Sequence, residues 1–323
     1  MKCIVVPESS TSPDDGWGNI CPGRYVLSEA KIVQSTNRIE STVLADPGLG
    51  TLYRQSKAEN GVTVFIPNWN HRPYLPRSIR SAFEAIYRLE EAGYSGELLV
   101  IDDASRDGSQ KFLRTVQVLY EDAPLKTVFL ERNLGLPRLR NLAMRMSRYR
   151  HVCMLDADNE LVADNLPLFL QTSVQTGAAV VHGLLIDKRE GRMTGLRSDN
   201  VASMRLTTGN YIDAFALLDA TKVLRAGGFV TDQRLYGYED WEMILHLIAE
   251  EEQVVFVPVV MGYYHLTPGS MFAETAEDKG PPPRSAAPEV VTLLRRMFAQ
   301  TGTREWDAVR VGRIYHPAVG YID

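Results

Sequence analysis

The chain has 323 residues, 45% of them hydrophobic and 23% charged, an ordinary composition for a globular protein of one or two domains. Its formal net charge of −5 argues against a broad nucleic-acid-binding surface. Cysteines without metal-site spacing, no apolar run long enough to span a bilayer and no secretion signal favour a cytoplasmic protein, with a peripheral contact at the inner membrane face left open.

The first 58 residues are rich in Pro, Gly, Ser and Asp, and we predict a small appendage of unknown role there. Short β-like runs occur within it at 25–27, 31–33 and 42–44. From Gly61 onward the sequence pattern changes, and a predicted strand followed by a predicted helix begins to recur.

Four apolar runs alternate with four segments whose apolar residues recur at helical spacing. The runs are 62–66, 98–101, 125–130 and 151–155, and the helical segments begin near Pro76, Ser109, Pro137 and Asp164. Near-continuous apolar strands that alternate with amphipathic helices predict an α/β fold with a mostly parallel sheet covered on both faces.

Each predicted strand ends in polar or turn residues. These strand ends are 67–70, 102–105, 131–133 and 156–158. Parallel strands bring their carboxyl ends to one edge of the sheet, where open α/β sheets bind ligands. The sequence therefore predicts a ligand site along that edge.

After Asp187 the alternation loosens. The sequence predicts a loop over 191–200, a helix over 239–251, a strand over 254–259, a mobile loop over 273–288 and a terminal helix over 288–299. We therefore divide the chain into an appendage (1–58), a main domain (59–272) and a C-terminal loop, helix and tail (273–323).

Asp156 and Asp158 directly follow the fourth predicted strand. Carboxylates at i and i+2 leave a strand end on the same side, and hard cations such as Mg²⁺ or Mn²⁺ take carboxylates together with substrate phosphates. An exposed turn with two helix-capping aspartates is the alternative interpretation. Two interpretations also stay open for Asp102 and Asp103. Their carboxylates could accept hydrogen bonds from a nucleotide base or a ribose, or they could belong to an acidic turn between a strand and a helix.

Five segments taken together resemble family 2 glycosyltransferases of the GT-A fold. They are 64–70, 100–109, 133–141, 155–158 and 237–242, in an order and spacing that covers roughly 62–271. The resemblance implies a Rossmann-like GT-A sheet flanked by helices. It also implies an inverting, metal-dependent transfer of a sugar from a nucleoside-diphosphate sugar, with UDP favoured, to a carbohydrate, lipid-linked or small-molecule acceptor.

The resemblance also assigns residues to the donor and metal sites. The backbone around Pro67 and the carboxylate of Asp103 would hold the base, with Asp102 in support, and Asp156 would face the ribose or sugar. Mn²⁺ or Mg²⁺ would be bound by Asp158 with Asp156, and by His265 as a third ligand. The full set of implied donor residues is Pro67, Asn68, Asn70, Asp102, Asp103, Asn133, Arg138, Arg140, Asp156 and Ala157.

Glu239 and Asp240 open a predicted helix. In an inverting transfer one carboxylate takes the proton of the acceptor hydroxyl, and an ionised carboxylate at neutral pH suits that role. By resemblance Asp240 is the general base and Glu239 a supporting group. The alternative for this pair is an acidic first turn stabilised by the helix dipole, and for Arg138 and Arg140 an exposed cationic helix face.

Four other functions are alternatives to this one. A sugar-phosphate nucleotidyltransferase would need a Gly-rich basic loop where Pro67–Asn70 stands, and a dinucleotide dehydrogenase would need Gly-x-Gly-x-x-Gly, which is absent. A non-catalytic nucleotide-sugar-binding module and a retaining transferase of the same fold stay open. The resemblance leaves self-association open, and Asp219 stands where the family commonly has a basic residue.

Overall fold

The computed structural model describes residues 42–44, 57–120, 122–198, 210–231, 237–267 and 311–322. The strands are β1 (Thr42–Leu44), β2 (Ala58–Asn68), β3 (Ser95–Asp102), β4 (Leu125–Leu130), β5 (Tyr149–Met154), β6 (Glu160–Leu161), β7 (Val180–Arg189), β8 (Arg192–Arg197), β9 (Leu217–Asp219), β10 (Val254–His265), β11 (Val311–His316) and β12 (Gly320–Ile322). The helices are α1 (Leu75–Glu91), α2 (Ser109–Leu119), α3 (Leu136–Met146), α4 (Leu166–Thr176), α5 (Ala220–Arg225) and α6 (Glu239–Ala249), with a 3₁₀ turn at Ala163–Asn165.

One sheet runs through the described part of the chain in the order β1-β4-β3-β2-β5-β9-β7-β10-β11-β12. The neighbours from β1 to β5 pair in parallel, as do β7, β10 and β11. Strand β9 is antiparallel to both β5 and β7, and so joins the two parallel halves. The predicted mostly parallel α/β sheet is therefore confirmed.

Helices cover both faces of this sheet, because the strand side chains alternate between the two faces. Val62, Val64 and Ile66 of β2 pack in the core that includes α1, α2 and α4. Phe65, between them, packs in the opposite core with α3, α5 and α6. Strands apolar on both faces thus give a three-layer α/β/α arrangement, which confirms the predicted fold class.

The predicted strands and helices of the main domain are present, with ends shifted by a few residues. One prediction in this region is wrong: 191–200 is not all loop, because Arg192–Arg197 forms β8 and pairs antiparallel with β7. The two strands turn at Glu190 (φ 49°) and Gly191 (φ 77°). Positive φ at both central residues is the backbone of a tight two-residue hairpin.

Both ends of the chain also contribute to the sheet. Strand β1 extends its edge beside β4, and the β11–β12 hairpin extends it beside β10. The β-like run predicted at 42–44 is confirmed as a strand, but the sequence predicted neither its pairing with β4 nor the β11–β12 hairpin. The division at 58 and 273 stays a prediction. The β-like runs at 25–27 and 31–33 and the helix over 288–299 lie outside the described residues.

Among the described residues, no helix is both long enough and apolar enough to cross a membrane.

Candidate active site

The carboxyl ends of β2, β3 and β5 meet at one edge of the sheet. In register, Asn68 of β2 lies beside Asp102 of β3. The backbone N–H of Leu155, just after β5, donates to the carbonyl oxygen of Phe65 at 2.9 Å. The segment that carries Asp156 and Asp158 is thereby held against β2, on the sheet edge that the sequence predicts.

Asp102 organises the turn after β3. Its Oδ2 accepts from Asn68 Nδ2 at 2.6 Å, and its Oδ1 accepts from the backbone N–H of Ser105 at 3.0 Å and from Gln110 Nε2 at 2.8 Å. The side chains of Asn68 and Asp102 are both fully buried. Asp102 is therefore a buried residue that stabilises the turn at this edge of the sheet.

Asp103 joins the β3 end to the loop after β4. Its two carboxylate oxygens accept the backbone N–H groups of Leu134 and Gly135, at 2.7 and 2.9 Å. Burial raises the pKa of Asp103, and these two hydrogen bonds oppose the rise. A hydrogen bond from the nucleotide base to Asp103 would have to use the remaining lone pairs of its carboxylate oxygens. The neighbouring Asn133 is exposed.

The segment after β2 curls over the β3 turn. Asn70 has a left-handed backbone (φ 57°), its N–H donates to Ser105 Oγ at 2.9 Å, and its Oδ1 accepts from the N–H of Arg106 at 2.8 Å. Pro67 is the penultimate residue of β2. The structure thus gathers Pro67, Asn70 and the β3 turn on one side of the site.

Asp156 and Asp158 lie on the other side of β2, with buried Ala157 between them. Asp158 Oδ2 accepts from Thr267 Oγ1 at 3.0 Å, and its backbone carbonyl accepts from Arg77. Burial raises the pKa of Asp158, and the charge of Asp156 raises it further. A buried carboxylate that lies beside the negative charge of a second carboxylate favours a bound cation.

His265 does not face this pair in the structure. Its backbone N–H donates to Asn159 Oδ1 at 2.9 Å, and its Nε2 lies 3.4 Å from Glu160 Oε2. The contact with His265 lowers the pKa of Glu160. Nowhere in the described ranges do three His, Cys, Asp or Glu side chains converge on a metal-sized space.

The donor chemistry nevertheless fits a divalent cation. Two neighbouring carboxylates and the phosphate oxygens of a substrate form the ligand set that Mg²⁺ commonly takes, without an all-protein cage. Asp156 and Asp158 meet that requirement, whereas His265 would first have to leave Glu160. His265 as a metal ligand therefore stays a prediction.

Arg140 is the centre of the site. It is buried in α3, with Nη2 3.5 Å from Asp156 Oδ1 and Nη1 3.3 Å from Glu239 Oε1. Its guanidinium also lies over the ring of Phe229, 5.3 Å from the centroid. Arg138, by contrast, is exposed on the same helix. The exposed-helix interpretation thus holds for Arg138 and fails for Arg140, which bridges the acidic residues after β5 to the start of α6.

Glu239 and Asp240 begin α6 side by side in different environments. Buried Glu239 accepts the backbone N–H of Gly237 at 2.7 Å in addition to its contact with Arg140. Asp240 accepts from Asn210 Nδ2 at 3.0 Å and from the N–H of Trp241 at 2.7 Å. Burial raises the pKa of Asp240 to about 7, with the charge of Glu239 adding to the rise and Arg140 opposing it. A carboxylate with this pKa can take up a proton near neutral pH.

Three further residues at the site were assigned no role from the sequence. Asn141 clamps the loop before α6, accepting from the N–H of Phe229 at 2.8 Å and donating to its carbonyl at 2.7 Å. Asn210 orients Asp240, and Asp213 lies in the same loop as Asn210. The signal for Asn141 was its place beside Arg140 in a segment already recognised. Asp219 turns out to cap α5 and to pair with Arg150.

Residues 63–236, more than half of the chain, match the family model described as glycosyl transferase family 2. Among curated proteins, a putative teichuronic acid biosynthesis glycosyltransferase of Bacillus subtilis is 28% identical over 118 residues, 36% of this chain and 44% of the relative. The chain spans less than half the length of the first curated relatives it matches, from 24% to 44%.

Solved structures of similar fold include TarS 1–349 of Staphylococcus aureus in complex with UDP-GlcNAc. It has a TM-score of 0.55 and 15% identity, and covers 77% of this chain and 68% of that one. A mannosyltransferase of Pyrobaculum calidifontis, in complex with GDP-Man and Mn²⁺, has a TM-score of 0.50 and 17% identity, and covers 86% of this chain and 84% of that one. At these identities the likeness concerns the fold.

Proposed function

Because the chain belongs to glycosyl transferase family 2, we propose that it transfers a sugar from a nucleoside-diphosphate sugar to an acceptor hydroxyl with inversion at the anomeric carbon. The observation that carries this proposal is the double contact of Arg140. One buried guanidinium lies within 3.5 Å of Asp156 and 3.3 Å of Glu239. A donor-side carboxylate and the residue next to the proposed base are thereby fixed relative to each other.

The strand ends hold the donor. The backbone at Pro67, the amides of Asn68 and Asn70, and the carboxylate of Asp103, with Asp102 beneath it, form the nucleotide side of the edge. Asn133, Arg138 and Ala157 complete the set toward the diphosphate and ribose. UDP is the favoured nucleotide, in line with the UDP-GlcNAc complex of a protein with the same fold.

Asp156 and Asp158 would hold Mn²⁺ or Mg²⁺ together with the donor diphosphate, and His265 would join them if its ring turned away from Glu160. A Mn²⁺ complex of a second protein of similar fold supports this assignment. The cation, when bound, neutralises the charge that develops on the leaving nucleoside diphosphate. The chain's own part is to keep two carboxylates adjacent and Thr267 bonded to one of them.

Asp240 is the general base. Asn210 and the N–H of Trp241 orient its carboxylate, and Glu239 and Arg140 set its proton affinity. As the acceptor oxygen attacks the anomeric carbon from the face opposite the nucleotide, its proton passes to Asp240. Glu239 is a positioning residue, because its own oxygens are held by Arg140 and Gly237. The acceptor is a hydroxyl of a carbohydrate, a lipid-linked molecule or a small molecule.

The pH dependence of turnover tests the proposal. Asp240 must be ionised to accept a proton, and its pKa is about 7, so turnover should rise as the pH rises through about 7. The measurement is the rate of UDP release from a UDP-sugar between pH 5.5 and 9, with either water or an added hydroxyl compound accepting the sugar. A profile that is flat across this range, on protein that binds UDP throughout, would remove Asp240 from the role of base.

A further inference from the structure

We infer that Asp213 binds hydroxyl groups of the transferred sugar and thereby restricts the donor to neutral sugars, excluding uronic acids. This inference rests on the proposed function and names the class of sugar that the same site accepts. Two observations support it: the path of the loop that contains Asp213, and the charged side chains around that loop.

The loop that contains Asp213 crosses the site from the base to the donor side. At one end, Asn210 Nδ2 donates to Asp240 Oδ2 at 3.0 Å. At the other end, the carbonyl of Ala216 accepts the backbone N–H of Met154 at 3.1 Å, two residues before Asp156. Asp213 stands midway between these two anchors. The charge of Asp156 raises the pKa of Asp213, and the charge of Asp213 raises the pKa of Asp240, so the Asp213 carboxylate lies near both the proposed base and the donor side.

The transferred sugar must occupy that same space. In an inverting transfer the anomeric carbon lies between the leaving diphosphate and the hydroxyl that the base activates. The diphosphate belongs beside Asp156 and Asp158, and the hydroxyl beside Asp240. A side chain placed between the two groups faces the sugar ring rather than the nucleotide.

The atoms of Asp213 are arranged to accept from a ligand. Its Oδ1 accepts the N–H of Phe215 at 2.9 Å. Its Oδ2 has Arg197 Nη1 4.0 Å away, beyond hydrogen-bonding distance, and the side chain keeps 21% of its surface exposed. A carboxylate oxygen can accept two hydrogen bonds, which suits vicinal hydroxyls. Arg197 is itself held by Asp187 at 2.5 Å and lies over the ring of Tyr264, 3.8 Å from its centroid.

The charges around this space oppose an additional carboxylate. Five acidic side chains surround it, and Arg140 is the buried cation that contacts two of them. The five are Asp156, Asp158, Asp213, Glu239 and Asp240. Burial and neighbouring negative charge raise the pKa of both Asp213 and Asp240. A site that already resists its own negative charges discriminates against an anionic sugar, since like charges brought together at short range repel strongly.

Calorimetric titration tests the inference without an acceptor. The probes are UDP, UDP-glucose, UDP-galactose, their N-acetylamino counterparts and UDP-glucuronate, each with Mn²⁺, on wild type and on the Asp213→Asn variant. Wild type should bind at least one neutral donor about tenfold or more tighter than UDP-glucuronate. Asp213→Asn should weaken that neutral donor about 10- to 100-fold, because a charged acceptor is lost, and leave the affinity for UDP unchanged.

Asp187→Asn is the matched control, because it removes the other carboxylate that contacts Arg197 and leaves the loop intact. It should keep the wild-type donor preference. Equal effects of the two variants would show that Asp213 acts through Arg197 alone and would overturn the inference. Wild type that binds UDP-glucuronate as tightly as the neutral donors would overturn it while leaving the proposed function standing. Wild type that binds neither UDP nor any donor would overturn the proposed function itself.

Discussion

Replacing Asp240 by Asn is expected to lower the rate of sugar transfer about 10²- to 10⁴-fold, the range for loss of a positioned general base. The amide keeps the size of the side chain, and its single oxygen can keep one of the two hydrogen bonds, from Asn210 or from the N–H of Trp241. It cannot take up the acceptor proton. Binding of the nucleotide should be unchanged, because Asp240 lies on the acceptor side of the site.

The measurement is kcat for release of UDP, together with the calorimetric affinity for UDP. Asp164→Asn is the control, because Asp164 is an exposed aspartate that pairs with Arg88 on the outer surface of the protein. It should retain wild-type kcat. An Asp240→Asn protein that binds UDP and turns over within tenfold of wild type would exclude Asp240 as the base.

Replacing Arg140 by Met should have the second large effect, this time on folding as well as on catalysis. Arg140 is the buried cation between Asp156 and Glu239, and the side chain of Glu239 is only 4% exposed. Removing one partner of a buried ion pair typically costs about 3–5 kcal/mol, because a charge is left uncompensated. The pKa of Asp240 should also rise, since Arg140 normally lowers it, and the rise of activity with pH should move to higher pH.

Urea unfolding of the Arg140→Met protein measures the stability change. Arg138→Met is the matched control, because Arg138 lies two residues earlier on α3 and is exposed. Its stability should stay within about 0.5 kcal/mol of wild type. Equal destabilisation by the two variants would show that the bridge between Asp156 and Glu239 does not hold the site together.

The edge of the sheet could be predicted from the sequence because two local signals agree there. Apolar strands such as 62–66 and 98–101 end in polar residues, and parallel pairing then brings these ends together without any knowledge of side-chain contacts. The register of Asn68 beside Asp102 is an example. The same logic placed Asp156 and Asp158 on that edge, and the structure shows that β5 pairs with β2.

Contacts between segments distant in sequence could not be predicted. Arg138 and Arg140 are equivalent in the sequence, and only the tertiary fold brings Asp156 and Glu239 to Arg140 and buries it. His265 has the chemistry of a metal ligand, yet Glu160 lies 3.4 Å from its ring nitrogen. Likewise, β11 and β12 reach the sheet only by pairing beside β10, far away in the chain. The β7–β8 hairpin, by contrast, could have been predicted from the sequence, since Glu190-Gly191 fits a tight hairpin turn.

The central claim is that the edge of the sheet binds a nucleoside diphosphate together with a divalent cation held by Asp156 and Asp158. The most direct measurement is calorimetric titration of UDP, GDP and dTDP, each with and without Mn²⁺, on wild type and Asp158→Asn. We expect UDP to bind in a Mn²⁺-dependent manner and the variant to lose that dependence, with affinity falling about 10- to 100-fold or more. Failure of folded wild type to bind any of the three nucleotides would contradict the donor site, and Mn²⁺-dependent binding that survives in Asp158→Asn would contradict the role of Asp158.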